Sequence, residues 1–185
     1  HDTAQRVETN DDPQRRPEEL LNIVPTNRRQ GYDARSLIRH VVDNGDFFEM
    51  RRHYASGVIT GFARLDGFSI GVIGSDPLSK AGAMDGNGAD KYAHFIDLCD
   101  TFNLPLVIFL DMPGFMLGSH AERMATMRRG ARALIASAEC QVPKIEFMVR
   151  KSYGVAADAP NSIGLPNGIN LRFGWPSGEW GGIPI

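Results

Sequence analysis

The feature that most limits what this chain can fold into is a pair of short apolar runs on either side of one amphipathic stretch. LPLVIFLD (104–111) lacks the alternation of a half-buried strand, and KIEFMV (144–149) follows a segment in which Met124, Met127, Ala131, Leu134, Ile135 and Ala138 recur at helical spacing. A short unalternating run of this kind reads as a strand covered on both faces. Strand, helix and strand in that order make a parallel pair joined by a right-handed crossover, so the fold class is α/β. Ligands of such sheets gather at the carboxyl ends of the strands. Two segments leave those ends, DMPGFMLG (111–118) and RKSYGVAADAP (150–160), and both are read as loops. Both contain glycine and little side-chain bulk, which serves turn geometry and also lets a ligand approach bare backbone N–H groups.

Upstream of the pair, Asp33 caps a helix whose apolar positions Leu37, Ile38, Val41 and Val42 end near Gly45. VITGFARL (58–65) and FSIGVIGS (68–75), joined by Asp66-Gly67, form a hairpin. A polar loop, SKAGAMDGNG (79–88), leads into a helix reaching about Phe102, with Phe95, Ile96, Cys99 and Phe102 on its inner face. Residues 1–31 are charged and broken by Pro13, Pro17 and Pro25, the composition of a linker or arm, with ELLNIVP (19–25) apolar enough to dock on a surface. Residues 32–185 make one domain. The chain starts HDTAQ and stops at the apolar WGGIPI, which is expected of a piece of a longer protein.

Several kinds of chemistry are missing. A formal net charge of −2 gives no basic footprint for nucleic acid, and no apolar run approaches the length of a membrane helix. Cys99 and Cys140 have no metal-type spacing and read as buried thiols of a reducing compartment, the cytoplasm or the mitochondrial matrix. There is no GxGxxG, Walker loop or GxSxG, and only His120 of the five histidines lies near a candidate loop. Asp111 reads as a cap for loop N–H groups, and Glu122 and Glu139 as solvated helix residues. A chain poor in side-chain catalysts and rich in exposed backbone suits charge stabilisation on an oxygen, such as that of an enolate or a ureido anion. On spacing alone, two ordinary turns are the better explanation of the loops.

The motifs YDARSLIRHVVDNGDFFEM, SKAGAMDGNGADKYAHFIDLCDTFNLPLVIFLDMPGF, RRGARALIASAECQVPK and RKSYG, in that order, resemble the carboxyltransferase (β) subunit of biotin-dependent acyl-CoA carboxylases. The match is to the propionyl-CoA carboxylase type and to the carboxyl-terminal half of that subunit. The resemblance implies a crotonase-like (ClpP/crotonase) spiral of ββα units, of which residues 58–102 would be one, and makes residues 1–31 the interdomain linker. It implies carboxyl transfer from carboxybiotin to the α-carbon of a short-chain acyl-CoA. The partners implied are the biotin carboxylase and biotin carboxyl carrier subunits, and the amino-terminal carboxyltransferase domain of another protomer in a trimer or hexamer. No metal is implied.

By the same resemblance the donors for the biotin oxygen fall at Val155 and Ala156, after Tyr153 and Gly154, and Asp158 falls in the acyl pocket. Gly114 and Phe115 would pack beside the biotin ring, with buried loop packing an equal reading of Phe115, and Ala81 and Gly82 lie where this fold often supplies a second oxyanion donor. Arg150 and Lys151 match the family as structural pairing residues. Val155 departs from a family glycine, Pro160 sits where it would disturb a helix, and NSIGLPNGINLRFGWP (161–176) needs a short insertion to align. The competing readings are a biotin-independent hydratase or decarboxylase of the same fold, and a non-catalytic domain for assembly or carrier docking.

Overall fold

A computed structural model describes residues 6–158 and 169–182. The apolar runs organise a sheet of seven strands among the described residues: β1 (Phe48–Met50), β2 (Val58–Leu65), β3 (Phe68–Ser75), β4 (Leu106–Met112), β5 (Lys144–Tyr153), β6 (Asn170–Gly174) and β7 (Glu179–Gly181). β1, β2 and β3 run antiparallel, with Leu65 opposite Phe68 across the Asp66-Gly67 turn. From β3 onward the neighbours are parallel, and β5 carries β6 along its first half and β7 along its second. All seven residues of β4 are buried, as an unalternating run requires.

Helices cover both faces. α3 (Gly86–Thr101) connects β3 to β4, and α4 (Ser119–Arg123) with α5 (Thr126–Glu139) connects β4 to β5. α3 and α5 enclose a core that includes Phe95, Ile96, Cys99, Leu106, Ile108 and Ala133. On the opposite face, α2 (Ala34–Val41) lays Leu37 and Ile38 against Ile59, Val72 and Val107. Asp33 caps α2 by accepting the Arg35 N–H at 2.9 Å. The helix stops at Val41, and a short turn over Asp43–Gly45 completes the expected stretch. The arm lies along this second face: α1 (Leu20–Ile23) and Val24 pack on the same core, and Arg15 donates to the carbonyls of His40 and Val42.

Three expectations are corrected. The helix 126–139 buries Thr126, Gly130, Ala133, Ala136 and Ser137, its small residues, whereas Met127 and Ile135 are 59% and 55% exposed. Close approach to α3 selects small side chains on the inner face, so the larger apolar groups form an outward stripe. Phe102, expected on the inner face of α3, is 65% exposed past the helix end. RKSY, read as loop, is the last part of β5, held parallel to β7 through Lys151–Glu179, Ser152–Trp180 and Tyr153–Gly181. β1, β6 and β7 carry no legible strand signal in the sequence.

Lys91 shows how a charge is kept inside. It is 2% exposed, and its ammonium donates to the carbonyls of Val58, Tyr54 and Arg51 at 2.6, 3.0 and 3.1 Å. Burial pulls it down to about 8, which leaves it protonated at neutral pH. Lys91→Met keeps the volume and strands three carbonyls. Thermal unfolding is expected to show a loss of about 1–3 kcal/mol, limited because a buried charge is removed at the same time. Unchanged stability would mean that water serves those carbonyls as well as the lysine does.

Candidate active site

Three chain segments meet at the carboxyl edge of β4 and β5. The first is the turn after β3. Lys80, Ala81 and Gly82 take successive positive φ values of 51°, 53° and 84°. Gly82 is required there for a second reason, since a Cβ would lie 2.3 Å from the Asp111 carbonyl oxygen. This places the Ala81–Gly82 turn directly against the end of β4. The second segment is the loop after β4, stitched to the first by Met84 N–H to Gly114 O (3.0 Å) and Met116 N–H to Met84 O (2.9 Å). Phe115 between them pairs with Met84 in a one-residue parallel bridge, and its ring lies over Gly130, where a Cβ would come within 2.4 Å of it.

The third segment is the β5–α6 junction. A Cβ on Gly114 would stand 3.9 Å from the Tyr153 carbonyl, and the Lys151 ammonium reaches the Ala81 carbonyl at 3.5 Å, so the three segments share one edge. β5 ends at Tyr153, Gly154 turns with φ 62°, and α6 (Gly154–Asp158) follows at once. Ala156 is buried at 1% and Val155 is 54% exposed, so valine turns its side chain outward from the helix it begins. The first N–H groups of α6 have no acceptor within the helix. Gly154 and Val155 line a cleft of about 580 Å³ together with Met148, Ser152, Arg172 and Trp180. A larger concavity, about 1030 Å³, lies on the β1 side of the sheet between Phe48, Phe62 and the arm, away from these loops.

Of the sequence-predicted site residues, Ala81, Gly82, Gly114, Phe115, Tyr153, Gly154, Val155 and Ala156 thus occupy one edge. Phe115 serves as packing between Met84 and Gly130. Asp158 belongs to α6, but its side chain lies outside the described residues, as do Pro160 and the stretch 161–168. Tyr153 is 8% exposed and donates its hydroxyl to Glu179 Oε2 at 3.0 Å. Burial, and then the Glu179 carboxylate, raise its phenol. Glu179 escaped the sequence reading because it lies on a strand with no pattern of its own. Asp111 was read as a cap for loop N–H groups, but it serves strand β5 instead: Oδ1 accepts the Lys151 N–H at 3.1 Å and Oδ2 pairs with Arg150 at 3.0 Å. Arg150 is structural too, lying 5.0 Å over the Tyr32 ring and donating to Gln30 O at 2.8 Å. Among the described residues the edge therefore presents backbone, with the charged side chains of Asp111 and Arg150 engaged in holding the strands. No group of three or more His, Cys, Asp or Glu suited to a metal occurs among the described residues. Nor is any described helix long and apolar enough to cross a membrane. Cys99 and Cys140 are both free and buried.

Comparison with known proteins agrees with this geometry. The carboxyl transferase domain family model matches residues 1–183. The methylmalonyl-CoA decarboxylase α subunit of Veillonella parvula is 42% identical over 95% of this chain, which covers 34% of that protein. The carboxyltransferase subunit of propionyl-CoA carboxylase from Haloferax mediterranei is 40% identical over 94% of this chain and 33% of its own length. Among solved structures, the transcarboxylase 12S hexamer with methylmalonyl-coenzyme A and methylmalonic acid bound superposes with a TM-score of 0.92 at 38% identity. That match covers 98% of this chain and 35% of the 12S chain. The chain spans about a third of the length of the relatives it matches. The fold is crotonase-like, with β2, β3 and α3 forming one ββα unit. On sequence, fold and the backbone-lined edge together, this chain belongs to the carboxyl transferase domain family.

Proposed function

We propose that the chain is the biotin-side part of an acyl-CoA carboxyltransferase, the carboxyl-terminal portion of a longer subunit with residues 1–31 as its interdomain linker. The observation that carries this is the convergence of the Ala81–Gly82 turn, the 112–118 loop and the β5–α6 junction on one edge that, among the described residues, offers backbone donors and no free catalytic side chain. The cleft fits a bicyclic ureido group. A Cβ at Gly154 would meet only the Gly182 carbonyl, at 3.5 Å, so the floor of the cleft is open. Carboxybiotin, when bound, supplies both the carboxyl group and the base that takes the α-proton of the acyl-CoA.

The residues of this chain position and stabilise. The Val155 and Ala156 amides would hold the biotin oxygen and stabilise negative charge there, the Ala81–Gly82 turn would offer a second donor site, and the family resemblance assigns Asp158 to the acyl pocket. A valine in place of the family glycine leaves the donor in place because its side chain points out of the turn. A relative that decarboxylates fits the same geometry, since both directions pass through one enolate. Carrier and biotin carboxylase subunits would deliver the cofactor, and the outward stripe of Met127 and Ile135 on α5 suits burial against another protomer in a homo-oligomer.

An amide-resolved NMR titration tests this. Biotin methyl ester is expected to shift residues 152–156 and 112–118, and propionyl-CoA alone to leave them in place. Shifts with the thioester and none with biotin would replace this reading by a hydratase-like one. No shift with either, in a well-dispersed spectrum, would favour an assembly domain.

A further inference from the structure

A separate cavity of about 240 Å³ lies where the amino ends of α3 and α5 come together, lined by Gly86 and Asn87 of the first and Thr126 of the second. The carboxyl-transfer reading shares only Met116, of the 112–118 loop, with it. Thr126 is 1% exposed, and its Oγ1 has no hydrogen-bond partner among the described residues. A buried hydroxyl without a partner is unfavourable by about 1–3 kcal/mol, a cost that an acceptor from outside the chain would relieve.

The surroundings say what kind of acceptor. Asp85 caps α3 by accepting the Gly88 N–H at 2.7 Å, which leaves the Gly86 and Asn87 amides as first-turn donors at the cavity wall. α5 begins after Ala125, which sits at φ 51° and offers no side-chain cap, so its first amides are equally unserved. Two helix dipoles therefore point their positive ends at one small space. The fixed charges around it are already balanced. Lys80 pairs with Asp85, and Arg129 pairs with Asp90 while donating to the Asn87 side chain at 2.9 Å. His120 completes the polar rim. The rest of the lining is apolar: Met116, Ala121 and Met124. A compact inorganic anion would leave most of that volume and all of that wall unused.

We propose that this cavity binds a short-chain aliphatic monocarboxylate, its oxygens taking the Thr126 hydroxyl and the Gly86 and Asn87 amides and its tail lying on Met116 and Met124. The inference does not rest on the carboxyl-transfer reading, because it concerns a free acid and, Met116 of the 112–118 loop apart, different residues.

Butyrate is the probe, titrated into the 185-residue chain with amide shifts as readout. Saturable shifts at Gly86, Asn87 and Thr126 are expected, with butyramide, equal in shape and uncharged, at least tenfold weaker. Thr126→Val removes the hydroxyl at constant shape and is expected to weaken butyrate by about tenfold or more, while Thr126→Ser restores it. Equal binding of butyramide, or unchanged butyrate affinity in Thr126→Val, would overturn the proposal. So would the absence of shifts at these residues, which would mean that water alone serves the hydroxyl. The comparison of acid with amide needs no variant, so it decides even if a substitution impairs folding. Biotin methyl ester reports on residues 152–156 in the same spectra, which keeps the two proposals separable.

Discussion

Val155→Pro in the intact subunit is expected to lower carboxyl transfer by about 10²–10³-fold and to leave the fold unchanged. Gly154, at φ 62°, acts as the cap of α6 and makes Val155 effectively its first helical residue. That is the position at which proline is best tolerated, because the missing N–H would have had no partner in the helix. The valine side chain is 54% exposed, so a pyrrolidine ring replaces it without invading the core. What the substitution removes is one backbone donor, the group assigned to the biotin oxygen. Val155→Gly is the control: it keeps the N–H and trims the side chain, and transfer should be unchanged or faster. Steady-state rates with free biotin as acceptor, beside unfolding curves, separate the two effects. A proline variant within threefold of the parent would remove Val155 from the site.

The largest stability effect is expected at Asp111. Its side chain is 1% exposed and that of Arg150 is 3% exposed, with N–O distances of 3.0 and 3.1 Å. In Asp111→Ala the guanidinium stays buried with only the Gln30 carbonyl and the Tyr32 ring to face, and the Lys151 N–H loses its acceptor. Removing one partner of a buried pair costs about 3–5 kcal/mol, which urea denaturation at neutral pH would read as a large fall in midpoint. The double variant Asp111→Leu with Arg150→Met removes both charges and should recover much of the loss. A loss below about 1 kcal/mol in Asp111→Ala would mean that Arg150 finds water or another partner. Tyr32 reports on the same spot, since burial first, and the Asp111 carboxylate after it, raise its phenol strongly.

Those two residues differ in how far the sequence revealed them. Asp111 was legible as an acceptor of N–H groups but not as one serving β5, and the backbone edge was legible because local chemistry governs it: an apolar run fixes a strand and its carboxyl end fixes the site. The Asp33 cap and the Asp66-Gly67 hairpin were legible for the same reason. The α5 stripe was misread because periodicity reveals that a helix has two faces and not which one turns inward. Here Gly130 and Ala133 win the inner face, since α3 must come close and Phe115 needs the space over Gly130. Lys91 and Glu146, both nearly or fully buried, carry no sequence signal of burial because their partners come from distant segments. β6 and β7 were missed since each is short and borrows its order from β5. The assignment of Val155 and Ala156 came from resemblance alone, because a backbone donor leaves no mark in residue type.

β5 is shared by two short partners, and that sharing sets a length constraint on evolution of the gene. β6 pairs with residues 144–148 and β7 with residues 151–153, so the four residues between Gly174 and Glu179 act as a ruler across the gap. The ruler is held at both ends: Trp175 N–H bonds the Met148 carbonyl, and Gly178 admits no side chain because a Cβ would come within 2.8 Å of that same oxygen. One inserted or deleted residue there would slide β7 by a single step and invert its two faces, taking Glu179 away from the Tyr153 hydroxyl. Substitutions along this ribbon can drift, but its residue count cannot. Gly118, where a Cβ would meet nothing within 4 Å, marks a loop free of that restriction. Length variation among relatives would then collect at the rim of the 112–118 loop and spare the 175–178 turn.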